Sequence, residues 1–291
     1  METTTMLPEK LQQKLGALAA GEGKLVVLTG AGISADSGIP TFRGREGYWT
    51  VGSREYHPQE MATFGMFRRQ PEEVWKWYLY RRGVCRGAAP NPGHEAVVAL
   101  EQALGDRFLL LTQNVDGLHL RAGNSAARTF QIHGNIDYAR CSKDCGELEP
   151  DIFPLPEDSL IKDRGEGLTD ADREALRCTC GAWTRPHVLW FDECYDEEHF
   201  RFNSSLQAAM AADMLLVVGT SGATNLPMQV GQVALARGAT IVDINPDENP
   251  FAKMAEQADS GFFLQGGGGQ YLPEMARVVT GSPRRGRGRI P

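Results

Sequence analysis

The sequence predicts an α/β protein that is built around a parallel sheet. Four predominantly apolar runs, the first of them uninterrupted, are typical of strands buried in a sheet, and helical segments separate them. Each run ends in glycine or in small polar residues, at the strand ends where sheets of this kind bind ligands. The 291 residues can bury a large core, either as one elaborated domain or as a large domain with a smaller insertion.

The first predicted strand, residues 25–28, runs into a glycine turn. Gly30, Gly32 and Ala35 follow at the G-x-G-x-x-A spacing of dinucleotide-binding proteins. The first glycine permits a tight turn, the second lets the backbone approach a pyrophosphate, and the small third residue lets a helix pack on the strand. Pro40 cuts that helix short, so the second half of a dehydrogenase motif is missing. The pattern favours a nucleotide turn outside the dehydrogenases, although such glycines alone can be only a turn.

Helices are predicted before and after this strand in the sequence. Residues 7–20 have the apolar spacing of an amphipathic helix, and residues 71–82 carry acids in the first turn and arginines in the last. Tyr78 and Arg81 lie three residues apart in the second helix, so they share a face. From spacing alone, a packing aromatic beside a solvated arginine is the simpler interpretation.

Polar residues directly follow the next strand, which we predict over 107–112. Gln113, Asn114 and Asp116 are placed for ligand binding at its carboxyl end, although Asn114 and Asp116 can instead cap the next helix. His133 follows a further extended stretch. A histidine at such a position is a candidate general acid or base, and its alternative is a structural role.

The remaining predicted strands also end in small or polar residues. The strand over 214–218 leads into Gly219, Thr220 and Ser221, a turn that suits phosphate or ribose hydroxyls, and the last strand ends near Asn245. Further helices are predicted over the ranges 94–104, 197–211 and 227–237. The glycine-rich sequence QGGGGQ, residues 265–270, is interpreted as a flexible connector before a short helix near 272–279.

Four of the six cysteines form two close pairs about thirty residues apart. They are Cys141, Cys145, Cys178 and Cys180. Two such pairs resemble a four-thiolate zinc site, and a metal would stabilise the acidic segment between them, which offers little core of its own. Four cysteines leave no open position for water, so the metal would be structural. The alternative is four unrelated buried thiols.

Charge and composition exclude several classes of protein. The net charge of −7 argues against a general binder of nucleic acids or membrane surfaces, so we expect neither as a partner. No apolar run approaches the ~18 residues of a membrane span. The first ten residues lack the pattern of a secretory signal, and the cysteines are typical of a reducing compartment. We therefore expect a cytoplasmic protein.

Taken together, the motifs GAGIS, TQNVD, HGN and GTS resemble those of the sirtuins, the NAD-dependent protein deacylases. They occur in family order between residues 25 and 245, with the paired cysteines between the last two motifs. The resemblance implies a Rossmann-like parallel sheet with a smaller domain made of a helical insertion and a zinc-binding insertion. The expected division is a Rossmann-type NAD-binding domain at 1–44, 88–137 and 187–280, a helical insertion at 45–87, a zinc-binding insertion at 138–186 and a basic disordered tail at 281–291.

The resemblance also implies an activity, the NAD-dependent removal of acyl groups from protein lysine with release of nicotinamide and O-acyl-ADP-ribose. His133 is the implied general base, and Asn114 and Asp116 are the other implied catalytic residues. The residues implied to bind NAD are Gly30, Ala31, Gly32, Ser34, Arg43, Gln113, Asn114, Asp116, Gly219, Thr220, Ser221 and Asn245. The implied partners are acylated lysine side chains of proteins, and zinc is the implied structural metal, held by the four paired cysteines.

Two segments are implied to bind the acylated peptide. Val188, Trp190 and Phe191 match the strand of the family that pairs with the substrate backbone. The pair Tyr78-x-x-Arg81 matches the signature of class III sirtuins, which accept succinyl, malonyl or glutaryl lysine. In this light Arg81 can grip a terminal carboxylate while Tyr78 adds a hydroxyl.

This sequence differs from the family where Asp192 replaces the usual glycine, and a carboxylate beside the peptide strand can alter the preference for peptides. One alternative function is an NAD glycohydrolase or ADP-ribosyltransferase that uses the same cleft. His133 together with the peptide strand argues against it. A second alternative is a non-enzymatic NAD-binding module. The sequence leaves the oligomeric state open, with a monomer as the expectation.

Overall fold

The computed structural model describes residues 6–39, 49–51, 54–148, 150–157 and 159–281. Within these ranges the strands are β1 (Leu25–Thr29), β2 (Trp49–Val51), β3 (Arg54–Tyr56), β4 (Phe108–Thr112), β5 (Thr129–Gln131), β6 (Gly134–Cys141), β7 (Phe153–Pro154), β8 (Thr184–Val188), β9 (Met214–Val218), β10 (Thr240–Asn245) and β11 (Gly261–Gln265). Six of them form one sheet in the order β11-β10-β9-β1-β4-β5, and every pairing in it is parallel. The predicted α/β class with a parallel sheet is confirmed.

Strand β1 lies inside this sheet because all five of its residues are apolar or small and all are buried. Leu25 is in register with Phe108 of β4 on one side and with Met214 of β9 on the other. The chain leaves β1 toward β4 and later returns to its other side at β9. The carboxyl ends of β1 and β9 therefore flank the point where the strand order reverses, which is where open α/β sheets bind ligands.

The helices within the described ranges are α1 (Glu9–Ala20), α2 (Pro58–Met61), α3 (Phe64–Arg69), α4 (Pro71–Gly87), α5 (Pro92–Leu104), α6 (Leu118–Ala122), α7 (Asp170–Ala175), α8 (Glu197–Phe200), α9 (Phe202–Ala211), α10 (Asn225–Ala236), α11 (Pro250–Gln257) and α12 (Gly268–Thr280). Helices α4 and α5 each carry proline in the first turn, where its missing amide costs nothing. Helix α5 is capped by the Asn91 side chain, which accepts hydrogen bonds from two amides of that turn.

Apolar helix faces cover both sides of the sheet. On one side, α1, α5 and α12 pack on β1 through residues such as Leu15, Leu100 and Leu272. On the other side, α9, α10 and α11 contribute a second buried cluster that includes Val230 and Phe251. The sheet is a central layer between two helical layers, as the continuous apolar strands require.

Two local predictions were wrong. The helix predicted over 197–211 is interrupted at Arg201, whose φ of 56° is left-handed and cannot continue a right-handed helix. The glycine-rich stretch 265–270 is not only a connector, because α12 already begins at Gly268. Strand β11 was not predicted, since its apolar run is only three residues long and lies at the sheet edge.

A smaller antiparallel sheet in the order β7-β6-β8 packs against α4. Its core contains Trp75 and Leu79 from the helix, Ile136 from β6 and Leu160 from the following segment. Strand β6 begins directly after His133, so this sheet is joined to the end of the large one. The division of the chain into domains stays a prediction.

Arg82 fastens α4 to the segment that follows β7. Its side chain is 0% exposed, and its Nε donates to Asp137 Oδ1 at 2.7 Å. The guanidinium also donates to the backbone carbonyl oxygens of Pro156, Ser159 and Leu160. Because the carboxylate and the carbonyls satisfy the buried charge, the segment after β7 is held on the helix.

Among the residues that the structure describes, none of the helices combines the length and the apolar character of a membrane span.

Asp243 predicts a pH-dependent stability. It is fully buried in β10, Oδ2 accepts from Asn249 at 2.6 Å, and Oδ1 is buried without a hydrogen-bond partner among the described residues. Burial raises its pKa from 3.8 to about 6. Both the folded and the unfolded states are protonated below about pH 4, and stability is lost as the pH rises through about 6 because the folded state must then ionise a buried carboxyl.

Asp243→Asn removes this ionisation. We expect the variant to exceed the wild type in free energy of unfolding by about 2 to 3 kcal/mol at pH 8, and the difference to shrink toward zero at about pH 3.5, where the folded and the unfolded state are both largely protonated. Urea unfolding at the two pH values measures it. A difference that stays constant with pH would contradict the assignment of the effect to this carboxyl.

Candidate functional site

The glycine turns after β1 and β9 pack directly against each other. The amide of Gly32 donates to the carbonyl oxygen of Gly219 at 2.8 Å, and a Cβ at position 32 would lie 2.6 Å from the Gly219 Cα. Gly219 also has a φ of 62°, which favours glycine. The close approach of two backbones is therefore what requires these glycines. The short helix predicted after this turn is a seven-residue 3-10 helix over Ala31–Ser37.

Ser34, Asn114 and Asp116 form a polar cluster at the ends of β1 and β4. Ser34 Oγ donates to Asp116 Oδ2 at 2.7 Å, and Asn114 Nδ2 donates to Ser34 Oγ at 3.0 Å. Burial raises the pKa of Asp116 above its usual value, against the lowering effect of hydrogen bonds from Leu118 and Ser34. The structure brings together three of the residues that the sequence singled out. The capping alternative is also realised, because Asp116 Oδ1 accepts from the amide of Leu118.

Two buried histidines, which sequence reasoning missed, lie behind this cluster. The rings of His94 and His119 meet edge to face with centroids 4.8 Å apart, and His119 Nε2 lies 3.0 Å from Thr29 Oγ1. Burial lowers the pKa of His94 to about 4 and that of His119 to about 3, so both rings are neutral at physiological pH and pack behind the polar cluster. Their places in helices α5 and α6 gave no sign that two distant histidines would meet.

Gln113 connects the ends of β4 and β9. Its Nε2 donates to Thr220 Oγ1 at 2.9 Å, and its Oε1 accepts from Thr224 Oγ1 at 3.1 Å. Asn245, at the end of β10, donates to the Thr220 carbonyl oxygen at 2.8 Å, and Ser221 is exposed beside it. We call the edge of the sheet at the carboxyl ends of β1, β4 and β9 the switch-point crevice, and these side chains line one rim of it.

His133 lies next to this rim, between β5 and β6. Its Nδ1 is 3.0 Å from the carbonyl oxygen of Gln113, and its Nε2 is 2.6 Å from the hydroxyl of Tyr195. Burial lowers the pKa of His133 to about 4, although the hydrogen bond to the Gln113 backbone raises it in part. The imidazole is therefore neutral at physiological pH and can act as a base. Tyr195 was not singled out from the sequence.

Tyr78 and Arg81 lie on α4, as the spacing predicts. Tyr78 is 3% exposed, and its hydroxyl accepts a hydrogen bond of 2.8 Å from Trp190 Nε1. Burial raises the pKa of Tyr78, so the hydroxyl stays protonated and can donate. The guanidinium of Arg81 lies 5.3 Å from the ring centroid of Trp77. Tyr78 is thus part of the core, and Arg81 is partly exposed beside it.

The segment from Val188 to Phe191 passes in front of His133. Phe191 is 57% exposed, whereas Trp190 is 1% exposed and faces Tyr78. The amide of Leu189 donates to the His133 carbonyl oxygen, and that of Phe191 donates to the Ala62 carbonyl oxygen. These amides already have partners within the chain, so an added peptide strand would need other backbone groups of the segment.

Charged residues on both sides of Trp190 hold this segment in place. Arg185 forms a bidentate ion pair with Glu193, and its guanidinium carbon lies 3.6 Å from the Trp190 ring centroid. Asp192 accepts hydrogen bonds from the amides of Phe64 and Gly65 at 2.7 and 3.0 Å. The carboxylate that replaces the family's glycine therefore caps α3 and ties the segment to it.

The four paired cysteines come together at one end of the small sheet. Their sulfur atoms all lie within 4.8 Å of one another, with 3.7 Å between Cys141 and Cys180 and 3.5 Å between Cys145 and Cys178. Tetrahedral zinc with bonds of about 2.3 Å places sulfurs about 3.8 Å apart. The donor set and its spacing fit a zinc ion, despite the unusual separations of the cysteines in sequence.

One predicted site residue, Arg43, lies outside the described residues.

Comparison with known proteins agrees with this geometry. The model of the Sir2 family matches residues 30–225. A relative from Leptospira interrogans serogroup Icterohaemorrhagiae serovar copenhageni, named NAD-dependent protein deacylase, is 40% identical over 260 residues, which cover 89% of this chain and 94% of the relative.

Two solved structures resemble the whole fold. The crystal structure of a Sir2 homolog–NAD complex is 33% identical, has a TM-score of 0.74 and covers 96% of both chains. A triple mutant of a Sir2 homologue in complex with 2′-O-acetyl ADP ribose is 35% identical, with a TM-score of 0.74, and covers 94% of this chain and 96% of that chain. The family match spans more than half of the sequence, including both glycine turns, His133 and the cysteine cluster. This chain belongs to the Sir2 family.

Proposed function

We propose that the protein is an NAD-dependent protein-lysine deacylase that releases nicotinamide and O-acyl-ADP-ribose. The observation that carries the proposal is the neutral His133 at the switch-point crevice, with the cluster of Ser34, Asn114 and Asp116 on the same edge of the sheet. The name of the relative and the ligands of the similar structures support the same reaction.

The crevice suits NAD. The turns at Gly32 and Gly219 pack backbone against backbone at the strand ends, and Gln113, Thr220 and Asn245 offer polar groups for hydroxyls. Ala31, Ser34, Asn114 and Asp116 would surround the nicotinamide end, and Gly30 and Ser221 would lie toward the phosphates and the adenosine. NAD, when bound, would supply the ribose carbon that the acyl oxygen attacks as nicotinamide leaves, and the ribose hydroxyl that finally carries the acyl group.

His133 would act as the general base through Nε2. Its Nδ1 donates to the Gln113 carbonyl, so the lone pair of the neutral ring lies on Nε2. That nitrogen would accept a proton from a ribose hydroxyl, which makes the hydroxyl oxygen a better nucleophile. Asn114 and Asp116 would hold the departing group and the positive charge that develops when it leaves.

The four-cysteine cluster would hold a structural zinc. Cys141 is the last residue of β6, and Cys178 and Cys180 lie shortly before β8. Strand β6 begins beside His133, and strand β8 ends beside it. The proposed metal thus stabilises the sheet that carries the base and the peptide segment, and it takes no part in the reaction because four thiolates close its coordination sphere.

The acyl specificity we propose includes succinyl and malonyl groups. Trp190 uses one lone pair of the Tyr78 hydroxyl, so the hydroxyl hydrogen remains for a ligand, and Arg81 provides the positive charge on the same face of α4. A guanidinium and a hydroxyl suit the terminal carboxylate of a dicarboxylic acyl chain.

Arg81→Met tests this specificity. We expect kcat/KM for a succinyl-lysine peptide to fall about 10- to 100-fold, because a charge-assisted hydrogen-bond pair is lost, while the value for the acetyl-lysine peptide stays within about twofold. Arg81→Lys keeps the charge without the planar fork, so it should give an intermediate loss. Arg277→Met, on the distant helix α12, is the control. Equal losses for both acyl groups would contradict an anchor role.

The remaining parts of the proposal come from the sequence. They are the division into a Rossmann-type domain and two insertions, acylated lysine side chains of proteins as substrates, a cytoplasmic location, and a monomer. Val188 and Phe191 would contact the peptide backbone, and Trp190 would contribute through Tyr78.

A further inference from the structure

The hydroxyl of Tyr195 covers the nitrogen of His133 that the reaction requires. Tyr195 Oη lies 2.6 Å from His133 Nε2, and the ring centroids are 5.7 Å apart. Nδ1 on the other side of the ring lies 3.0 Å from the Gln113 carbonyl oxygen. Both ring nitrogens therefore have partners from the chain itself.

The Gln113 carbonyl fixes the direction of both hydrogen bonds. A carbonyl oxygen can only accept, so Nδ1 carries the hydrogen and donates it. Nε2 of the neutral ring then carries the lone pair and accepts the hydroxyl hydrogen of Tyr195. Burial raises the pKa of Tyr195 to about 12, which keeps that hydrogen in place at neutral pH.

Tyr195 is held in this position by packing. Its ring is tilted against Phe202 with centroids 6.3 Å apart, and it packs on the buried cluster beneath β5 and α9 that includes Ile132 and Ala209. A partly buried ring loses little further freedom when its hydroxyl forms a hydrogen bond. The contact with His133 is thus built into the fold between β8 and α9.

We propose that Tyr195 is a positioning residue for His133. The Tyr195 hydroxyl donates to Nε2, holds the ring in place and covers that nitrogen until a substrate hydroxyl replaces it. The inference rests on the proposed function, in which Nε2 accepts a proton from such a hydroxyl. Two consequences follow. The donated hydrogen bond favours the neutral imidazole and so lowers the pKa of His133 in the free enzyme. The bond must also be broken before a substrate can reach Nε2.

The first test uses the ligand-free protein and does not depend on any activity. Histidine rings labelled with 15N are titrated by NMR in the wild type and in Tyr195→Phe, with the His133 signals assigned by their loss in His133→Ala. We expect the pKa of His133 to rise by about half to one pH unit in Tyr195→Phe. Tyr271→Phe is the matched control, because its hydroxyl donates to the distant Gln265 carbonyl oxygen, and it should leave the His133 titration unchanged.

The second test measures turnover with NAD and an acyl-lysine peptide above pH 7. Tyr195→Phe should raise kcat/KM about twofold to tenfold, since one hydrogen bond no longer has to be broken. An unchanged His133 titration would overturn the proposal. So would a fall in turnover to the level of His133→Ala in a folded protein, because the hydroxyl would then be passing the proton itself. If the wild type released no nicotinamide with any peptide, the proposed function would fail, and the NMR titration would still decide the role of Tyr195.

Discussion

Replacing His133 with alanine is expected to lower kcat about 10²- to 10⁴-fold, which is the usual contribution of a positioned general base. The variant removes the lone pair on Nε2, which accepts the Tyr195 hydroxyl hydrogen in the free protein and which the proposed reaction requires. The pH dependence of the wild type is the second part of this prediction. Because burial lowers the pKa of His133 to about 4, the base stays unprotonated as the pH falls from 8 to about 5, and activity should be lost only near pH 4.

Steady-state kinetics and NAD binding by calorimetry separate the base from a general defect. His133→Ala should still bind NAD, since the polar cluster of Ser34, Asn114 and Asp116, which we propose to surround the nicotinamide, does not include His133. A variant that loses NAD binding and turnover together would indicate misfolding. Full turnover in a variant that binds NAD normally would contradict the assignment of the base.

Replacing Cys178 with serine should produce the largest loss of stability. Cys178 Sγ lies 3.5 Å from Cys145 Sγ, inside the cluster, so serine removes one of four thiolate ligands. Because metal binding contributes several kcal/mol or more to small zinc modules, we expect bound zinc to fall from one per chain toward zero and the Tm to fall by about 10 °C or more. Elemental analysis and calorimetry measure the two effects.

Cys194→Ser is the matched control, because Cys194 is exposed and lies outside the cluster. It should keep both the metal and the Tm of the wild type. Chelation of the wild type should reproduce the Cys178→Ser result, and the loss of the metal should loosen β6 and β8 and thereby reduce turnover. If the wild type is produced in zinc-containing medium and the purified protein contains no zinc, the metal assignment is contradicted.

The sequence was sufficient for the features that depend on local pattern. The apolar runs at 25–28 and 214–218 identified buried strands, and the small residues after them identified the ends that meet at the switch point. The two close pairs of cysteines predicted the four-cysteine cluster, because such pairs are typical of zinc sites. These signals are runs or pairs within short stretches of sequence, so they can be recognised without knowledge of the tertiary contacts.

Features that depend on contacts between distant segments could not be predicted. Arg82 is next to the signature residue Arg81, yet only the packed structure shows that one is buried against Asp137 and the other is partly exposed. The contacts of Tyr195 with His133 and of Asp192 with α3 join positions 62 and 127 or more residues apart. No spacing rule predicts such pairs, because the register of the intervening segments decides them.

The measurement that tests the central claim most directly is the fate of the acyl group. The wild type is incubated with NAD and either an acetyl-lysine or a succinyl-lysine peptide, and nicotinamide, freed lysine peptide and acylated ADP-ribose are quantified by mass spectrometry. We predict equal amounts of the three products, none of which forms when NAD is omitted. Nicotinamide and ADP-ribose released without any freed peptide would contradict the deacylase and indicate an NAD glycohydrolase instead.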